Sequence, residues 1–337
     1  MSEFRQDPLS RRWVIVGCDD RAIRPNEFVE AITRSNQLPC PFCAGNEDQT
    51  PIAVATHSAN GSGHWTVRVV RNKYPALTTE QPPCPTCQPL ETRPAQGQAT
   101  GFGCHEVIIE SPRHVASLSE LTDLEVETTF RAYRDRIREL KAEGRYQYVQ
   151  IFKNVGAAAG ASLEHVHSQL IALPGVPEVL RQELAASDDY FREHRRPLLP
   201  DLIAKEEAEQ SRVVAQTANF IAFCPYASRF PYEVWLAPRR HQPRYEDVQT
   251  GELGELSLLA REIVGCMERA VGPTAYTAFL HTLPFDMPAY DHYHWHIEIF
   301  PRLTKVAGFE WGTGCFINPF LPETAAAHLR TSLSRSS

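Results

Sequence analysis

The chain repeats itself, and a repeated supersecondary unit restricts the fold more than any single motif within it. Residues 106–114 (EVIIESPRH) are echoed by residues 233–241 (EVWLAPRRH), each an apolar, strand-like run closed by a proline and a basic residue. Helical spacing follows both. Leu121, Leu124, Val126, Phe130, Tyr133, Ile137 and Leu140 mark one helix within residues 119–143, with Ser119 as its expected cap. Leu253, Leu256, Leu259, Ile263, Val264 and Met267 mark the other within residues 247–270. Each copy then ends in strand-like sequence with two histidines at i and i+2: His165 and His167 within residues 148–173, His294 and His296 within residues 275–301. The separation is 59 residues from Glu106 to His165 and 61 from Glu233 to His294. This order predicts an α+β fold of two similar halves, residues 1–195 and 196–337, joined through a charged helical stretch at 201–211 and sharing an antiparallel sheet with helices packed on it. Two unrelated strand–helix–strand pieces are the blander reading. A short helix with a frayed, serine-rich end is expected from residue 325, and a long surface loop at residues 78–100.

Composition narrows the class. The 337 residues are 42% hydrophobic and 22% charged, ordinary for a globular protein, and no apolar run approaches the ~18 residues of a membrane span. With 34 basic and 41 acidic residues the formal charge is −7, so neither a nucleic-acid nor a membrane partner is expected. An anionic substrate must then be held by a local cluster. Nine cysteines, an odd number, exclude a complete intramolecular disulfide framework, and the first residues lack the basic-then-apolar pattern of a secretion signal. A cytoplasmic, reducing location is expected, in which cysteines and the thirteen histidines point to metal ligation or catalysis.

The first histidine pair has the richer chemical setting. In residues 164–173 (EHVHSQLIAL) the pleat sends His165, His167 and Gln169 to one face and Val166, Ser168 and Leu170 to the other, with neighbours on a face ~7 Å apart. Just upstream, residues 154–162 (NVGAAAGAS) form a small-residue loop whose backbone N–H groups can approach a phosphate. Neutral imidazole attacks phosphorus when one nitrogen is bare and the other is held by an acceptor, and the phosphoramidate so formed stays labile. A glutamine two residues on can donate its amide to a non-bridging oxygen without adding a charge that competes with the imidazole. Loop and histidines together point to phosphoryl or nucleotidyl chemistry.

The run His165-Val166-His167-Ser168-Gln169 and the apolar residues after it resemble the histidine-triad superfamily. Across about residues 5–325 the chain resembles the galactose-1-phosphate uridylyltransferase family, which consists of two fused histidine-triad-like halves. The stretches that carry this are residues 20–25 (DRAIRP), 40–46 (CPFCAGN), 72–77 (NKYPAL), 111–114 (SPRH), 154–162 and 294–296 (HWH). The resemblance implies that His167 attacks the α-phosphorus of UDP-glucose, releases glucose 1-phosphate and passes UMP to galactose 1-phosphate by ping-pong kinetics. It also implies Gln169 on the α-phosphate, and Asn154 and Ser162, with Gly156 and Gly160 in the same loop, as phosphate contacts. Asn72 is implied near the nucleoside, Glu310 at the hexose, and Arg21 and Arg24 on phosphates across the subunit boundary of a homodimer. Several departures are closer to the branch that includes ADP-glucose phosphorylase, in which an adenylyl group passes to inorganic phosphate. Val166 and Glu164 stand where uridylyltransferases have proline, Ala161 replaces a cysteine, and residues 308–319 (GFEWGTGCFINP) follow that branch. A histidine-triad hydrolase, with water as acceptor, and a non-catalytic sugar-nucleotide binder are the readings from other classes.

Cys40-Pro41-Phe42-Cys43 has the spacing that lets two thiolates chelate one tetrahedral zinc, and by itself is half a site. The resemblance implies the remainder, His114 and His165, as a closed structural zinc site. It implies a second metal, iron or zinc, on Glu183, His281, His294 and His296; the alternative is that the second histidine pair is a relic of the repeat. Glu298 stands where the first copy has Gln169, and a carboxylate there repels a phosphate, so the second copy is expected to be non-catalytic. Cys84 and Cys87 form a second CxxC, compatible with a zinc knuckle, a redox pair or no metal. Cys18, Cys104, Cys224, Cys266 and Cys315 are read as small core residues.

Overall fold

The computed structural model describes residues 2–17, 39–58, 64–80 and 100–334. Arg21, Arg24, Cys18, Cys84, Cys87 and most of the 78–100 stretch lie outside the described residues. The strands are β1 (Glu3–Gln6), β2 (Trp13–Val16), β3 (Ala53–His57), β4 (Val67–Arg71), β5 (Cys104–Ile109), β6 (Tyr148–Val155), β7 (His167–Leu173), β8 (Val213–Gln216), β9 (Phe220–Phe223), β10 (Val234–Pro238), β11 (Tyr276–His281), β12 (His296–Pro301) and β13 (Phe316–Asn318). The helices are α1 (Asp123–Ala142), α2 (Glu178–His194), α3 (Leu198–Glu209), α4 (Thr250–Val271), α5 (Gly308–Thr313) and α6 (Pro322–Ser334).

Ten strands form one sheet in the order β3-β4-β5-β7-β6-β11-β12-β10-β9-β8. Read outward from the centre, β6-β7-β5-β4-β3 on one side matches β11-β12-β10-β9-β8 on the other. The sequence repeat is therefore a pseudo-twofold axis between β6 and β11, where Ala278 pairs with Lys153 in an antiparallel ladder. Alternation in β6 (VQIFKNV after Tyr148) sends Val149, Ile151 and Val155 into the core under α1 and α4 and leaves Gln150, Phe152 and Asn154 on the opposite face. Ile137 and Leu140 of α1 and Leu256 and Ile263 of α4 are fully buried there, each contributing roughly 2 kcal/mol of apolar burial. The opposite face of the sheet carries the candidate site.

Local chemistry moves some boundaries. Helix α1 is capped by Thr122, not Ser119. The Thr122 hydroxyl accepts the Glu125 N–H while the Glu125 carboxylate accepts the Thr122 N–H, and Ser119 lies in a preceding 3-10 turn capped by Ser117. Residues 148–173 and 275–301 each hold two strands separated by a loop. Helix α6 starts at Pro322, ahead of residue 325. Strands β1 and β2 pair with each other and, through Val14 and Phe316, with β13, while Arg5 reaches Glu323 at 2.9 Å. Strands β1 and β2 thus pack on the C-terminal half, a placement that a division at residue 195 does not anticipate. Cys104, Cys224 and Cys266 are buried, and Cys315 is half-buried beside α5. Among the described residues no helix is long and apolar enough to cross a membrane.

Glu125 also ties α1 to the turn before the first half's site, accepting from Ser111 Oγ at 2.7 Å and from the Arg113 guanidinium. Burial pushes this carboxyl up, but Arg113, Thr122 and Ser111 outweigh burial and hold it at about 2. The stabilisation is complete above the unfolded-state value of about 4.3 and is lost as pH falls from there to about 2. Glu125→Gln is expected to cost roughly 2–3 kcal/mol at pH 7, and the difference from wild type is expected to close at pH 2, measured by denaturant unfolding across that range.

Candidate active site

The 40–46 loop and the turn at 111–114 converge on the entrance to β7. Cys40 Sγ lies 3.6 Å from His165 Nδ1, and Cys43 Sγ lies 3.4 Å from His114 Nδ1 and 3.6 Å from His165 Nδ1. A tetrahedral ion with Zn–S of about 2.3 Å and Zn–N of about 2.05 Å has S···N edges of about 3.6 Å. The four donors therefore fit a closed tetrahedral metal site without rearrangement. His165 Nε2–H donates to the Ser111 carbonyl at 2.8 Å, which leaves Nδ1 bare toward the thiols. Burial pushes His165 down to about 4, so the ring is neutral as a ligand must be. Between the two cysteines, Phe42 places its ring centroid 5.4 Å from that of His167.

His167 opens β7 on the same face. Its Nδ1 donates to the His165 carbonyl at 2.6 Å, which fixes the tautomer and leaves Nε2 with its lone pair. Burial lowers its pKa, keeping the ring neutral at pH 7. Across β6–β7, Phe152 pairs with Gln169 at the end of that ladder, and Asn154 lies two residues further along β6 on the same face. Asn154 Oδ1 accepts from Thr277 across the pseudo-twofold at 3.2 Å, leaving its amide hydrogens for the site. The loop after Asn154 turns through Gly156 (φ 81°) and a 3-10 turn to Gly160 (φ 88°). A Cβ at Gly160 would meet open space, so it is the left-handed backbone that calls for glycine there. Ser162 is exposed at the end of this loop. Phe152 and Thr277 also line a cleft of about 1210 Å³, together with Glu310 and Trp311. Asn72 lies 3.1 Å from His105 Nε2, itself 2.8 Å from Gln169 Oε1.

Two residues that the sequence reading did not single out stand behind the nucleophile. On the helix-facing side of the sheet, buried Lys153 donates to the His167 carbonyl at 3.0 Å and pairs with buried Glu110 at 2.6 Å. The other Glu110 oxygen accepts from Tyr133 at 2.7 Å and Ser168 at 2.5 Å. The signal available in sequence was a lysine and a glutamate at core-facing positions of otherwise apolar strands. Lys153→Met is expected to destabilise the protein by about 3–5 kcal/mol, because Glu110 is left buried and unpaired. Unfolding of Lys153→Met against Lys153→Met/Glu110→Leu checks this, the double variant recovering a large part of the loss.

In the second half, ligand atoms of Glu183, His281, His296 and Glu298 all lie within 4.8 Å of one another and all four residues are buried. His281 Nδ1 is 3.0 Å from Glu183, and His296 Nε2 is 3.4 Å from Glu298. A two-imidazole, two-carboxylate set suits iron or zinc. His294 does not join this cluster. Its Nε2 donates to the Pro238 carbonyl at 2.9 Å and its Nδ1 accepts the Gln242 N–H at 3.1 Å, so both nitrogens are occupied. It repeats the geometry of His165, down to a neighbouring ring, His241, at 5.7 Å where His165 has His114 at 5.4 Å. Glu298 takes the place expected of His294. Arg229 and His296 hold the Glu298 carboxylate, so the position that Gln169 fills in the first half is negatively charged here.

Comparison with known proteins agrees with this layout. The family model described as a domain of unknown function, DUF4921, matches residues 45–336. The ADP-glucose phosphorylase of Arabidopsis thaliana is 34% identical over 97% of this chain and 92% of its own length. The galactose-1-phosphate uridylyltransferase of Thermotoga maritima is 27% identical over 98% of each chain. Among solved structures, an ADP-glucose phosphorylase from Arabidopsis thaliana with bound ADP-glucose superposes with a TM-score of 0.81 at 32% identity, covering 98% of this chain and 99% of that one. A uridylyltransferase structure superposes at 0.75 with 27% identity, covering 100% and 99%. The chain thus belongs to the DUF4921 family, within the galactose-1-phosphate uridylyltransferase-like nucleotidyltransferases built on the histidine-triad-like fold.

Proposed function

We propose that this chain moves a nucleotidyl group from a nucleoside diphosphate glucose through a covalent nucleotidyl-His167. The observation that carries the proposal is the bare Nε2 of a buried, neutral imidazole whose other nitrogen is tied to the His165 carbonyl at 2.6 Å. Nε2 attacks the α-phosphorus, and the bond from that phosphorus to the glucose 1-phosphate oxygen breaks with its electron pair on the leaving group. An acceptor oxygen then attacks the same phosphorus and returns the electron pair to Nε2. Gln169 and Asn154 present amides to the non-bridging oxygens, and Glu310, in the lining of the cleft, takes the hexose. In a homodimer, Arg21 and Arg24 add guanidinium contacts.

Two donor and acceptor pairs follow. ADP-glucose with inorganic phosphate is put first, because the 34% identity and the 0.81 TM-score both fall on an ADP-glucose phosphorylase. UDP-glucose with galactose 1-phosphate is second, supported by uridylyltransferase relatives that match along the whole chain. Zinc is proposed at Cys40, Cys43, His114 and His165, where two thiolates and two imidazoles leave no open position. Held there, a metal would pin the entrance of β7 and leave bond making to His167. Iron or zinc is proposed at Glu183, His281, His296 and Glu298. Product analysis decides between the substrate pairs: release of ADP and glucose 1-phosphate from ADP-glucose plus phosphate supports the first, and UDP-galactose from UDP-glucose plus galactose 1-phosphate the second. Net release of AMP or UMP to water would overturn both.

A further inference from the structure

Gln169 serves a phosphate only when its amide, and not its carbonyl, faces the donor, and the two ends of a glutamine side chain are nearly isosteric. In this chain the choice is made before substrate arrives. His105 lies at the start of β5 opposite Ile171, diagonal to Gln169, which pairs with Val107. The Ala76 backbone N–H, which can only donate, points at His105 Nδ1 from 3.1 Å. Nδ1 is therefore the acceptor and Nε2 carries the proton of the neutral ring. That N–H faces Gln169 at 2.8 Å, so the atom it meets is the carbonyl oxygen Oε1. Among the described residues nothing accepts from Gln169 Nε2, which is left to the site.

The alternative, in which Asn72 Nδ2 donates to His105 Nε2, would put the proton on Nδ1 against the Ala76 N–H, two donors face to face. With the proton on Nε2, the 3.1 Å approach of Asn72 Nδ2 is not a hydrogen bond, since Asn72 Oδ1 is held by the Tyr74 N–H at 2.9 Å and Nδ2 can only donate. The shorter 2.8 Å contact to Gln169 Oε1 and the Ala76 N–H, fixed by the backbone, decide the tautomer against this side-chain amide, which can turn its hydrogens aside. The Asn72 N–H in turn donates to the His105 carbonyl at 2.9 Å, which fixes the two residues to each other.

We infer that His105 is a positioning residue for nucleotidyl transfer: it holds the Gln169 carbonyl away from the phosphate site on His167 and the Gln169 amide toward it. The inference rests on the reading of His167 as nucleophile and deepens it. A histidine here is specific in its chemistry, since one ring must accept from Ala76 and donate to Gln169 at the same time.

The test is a double-mutant cycle read in single-turnover formation of nucleotidyl-enzyme at saturating ADP-glucose or UDP-glucose. His105→Leu removes the donor and is expected to slow this step about tenfold to a hundredfold. His105→Gln, which returns an N–H near the same point, is expected to recover most of the rate. In a Gln169→Ala background, His105→Leu is expected to change nothing further, because nothing remains to orient. An equal loss in both backgrounds marks a merely structural role and overturns the inference, as does a wild-type rate in His105→Leu. Nitrogen-15 NMR of the His105 ring provides a readout independent of turnover: a proton on Nε2 is expected, and a proton on Nδ1 overturns the inference. Absence of nucleotidyl-enzyme in the wild type with either donor, beside an Nε2-protonated His105, counts against the nucleophile and not against the positioning.

Discussion

His167→Ala is expected to reduce nucleotidyl transfer by about 10⁴-fold or more while leaving the fold intact. Among the described residues no neighbouring imidazole is free to take over. His165, the adjacent imidazole on the same face, has Nδ1 facing the Cys40 and Cys43 thiols and Nε2 on the Ser111 carbonyl. The His167 side chain itself touches Phe42 and the His165 carbonyl, so its removal opens a small space near the cleft and not in the main core. The loss is expected to be read in the first half-reaction: exchange of labelled glucose 1-phosphate into the sugar nucleotide disappears, while the unfolding midpoint moves little. A variant that turns over within tenfold of wild type would remove the nucleophile assignment.

Cys40→Ser is expected to have the second large effect. The Cys40 and Cys43 loop is held to the 111–114 turn and to β7 by the four converging donors. Loss of one thiolate is expected to empty the site and cost about 5 kcal/mol or more, because metal binding to a site absent from the unfolded chain is folding free energy. Activity is expected to fall as well, since Phe42 is carried on the same loop and packs against His167. Elemental analysis and denaturant unfolding of the wild type, the wild type after chelation and Cys40→Ser provide the check. Less than one metal per chain in the wild type, together with unchanged stability in Cys40→Ser, would contradict the structural metal.

The palindromic sheet was legible because a repeat of strand, helix and paired histidines at 59 and 61 residues has few ways to bury its apolar faces. The first candidate ligand set was legible as spacing plus resemblance, and Cys40, Cys43, His114 and His165 do come together. The second set was legible only in part. His294 and His296 look alike in sequence, yet the pseudo-twofold gives His294 the part of His165, with its nitrogens on Pro238 and Gln242. The place it vacates is filled by Glu298, two residues beyond His296 on β12 and pointing to the same face. Applying the repeat strictly, so that each second-half histidine inherits its partner's geometry, would have found this. Glu110, Lys153 and His105 were harder, because each acts through a contact between strands remote in sequence. Alternation marks Lys153 and Glu110 as core-facing but does not say that they meet, and nothing short of the β5–β7 register brings His105 to Gln169. The Thr122 cap was available from sequence: Thr122 with Glu125 three residues on is a capping box, which Ser119 lacks.

The central claim is that a nucleotidyl group rests on His167 between the two half-reactions. Intact-protein mass spectrometry after mixing with ADP-glucose or UDP-glucose, without acceptor and with rapid removal of glucose 1-phosphate, tests it most directly. A mass increase of one nucleotidyl group per chain is expected, mapped to the peptide containing His167. The adduct is expected to be lost in acid, absent in His167→Ala and discharged by phosphate or galactose 1-phosphate. An active enzyme that never carries the adduct, or carries it on a residue other than His167, would rule out His167 as the nucleophile.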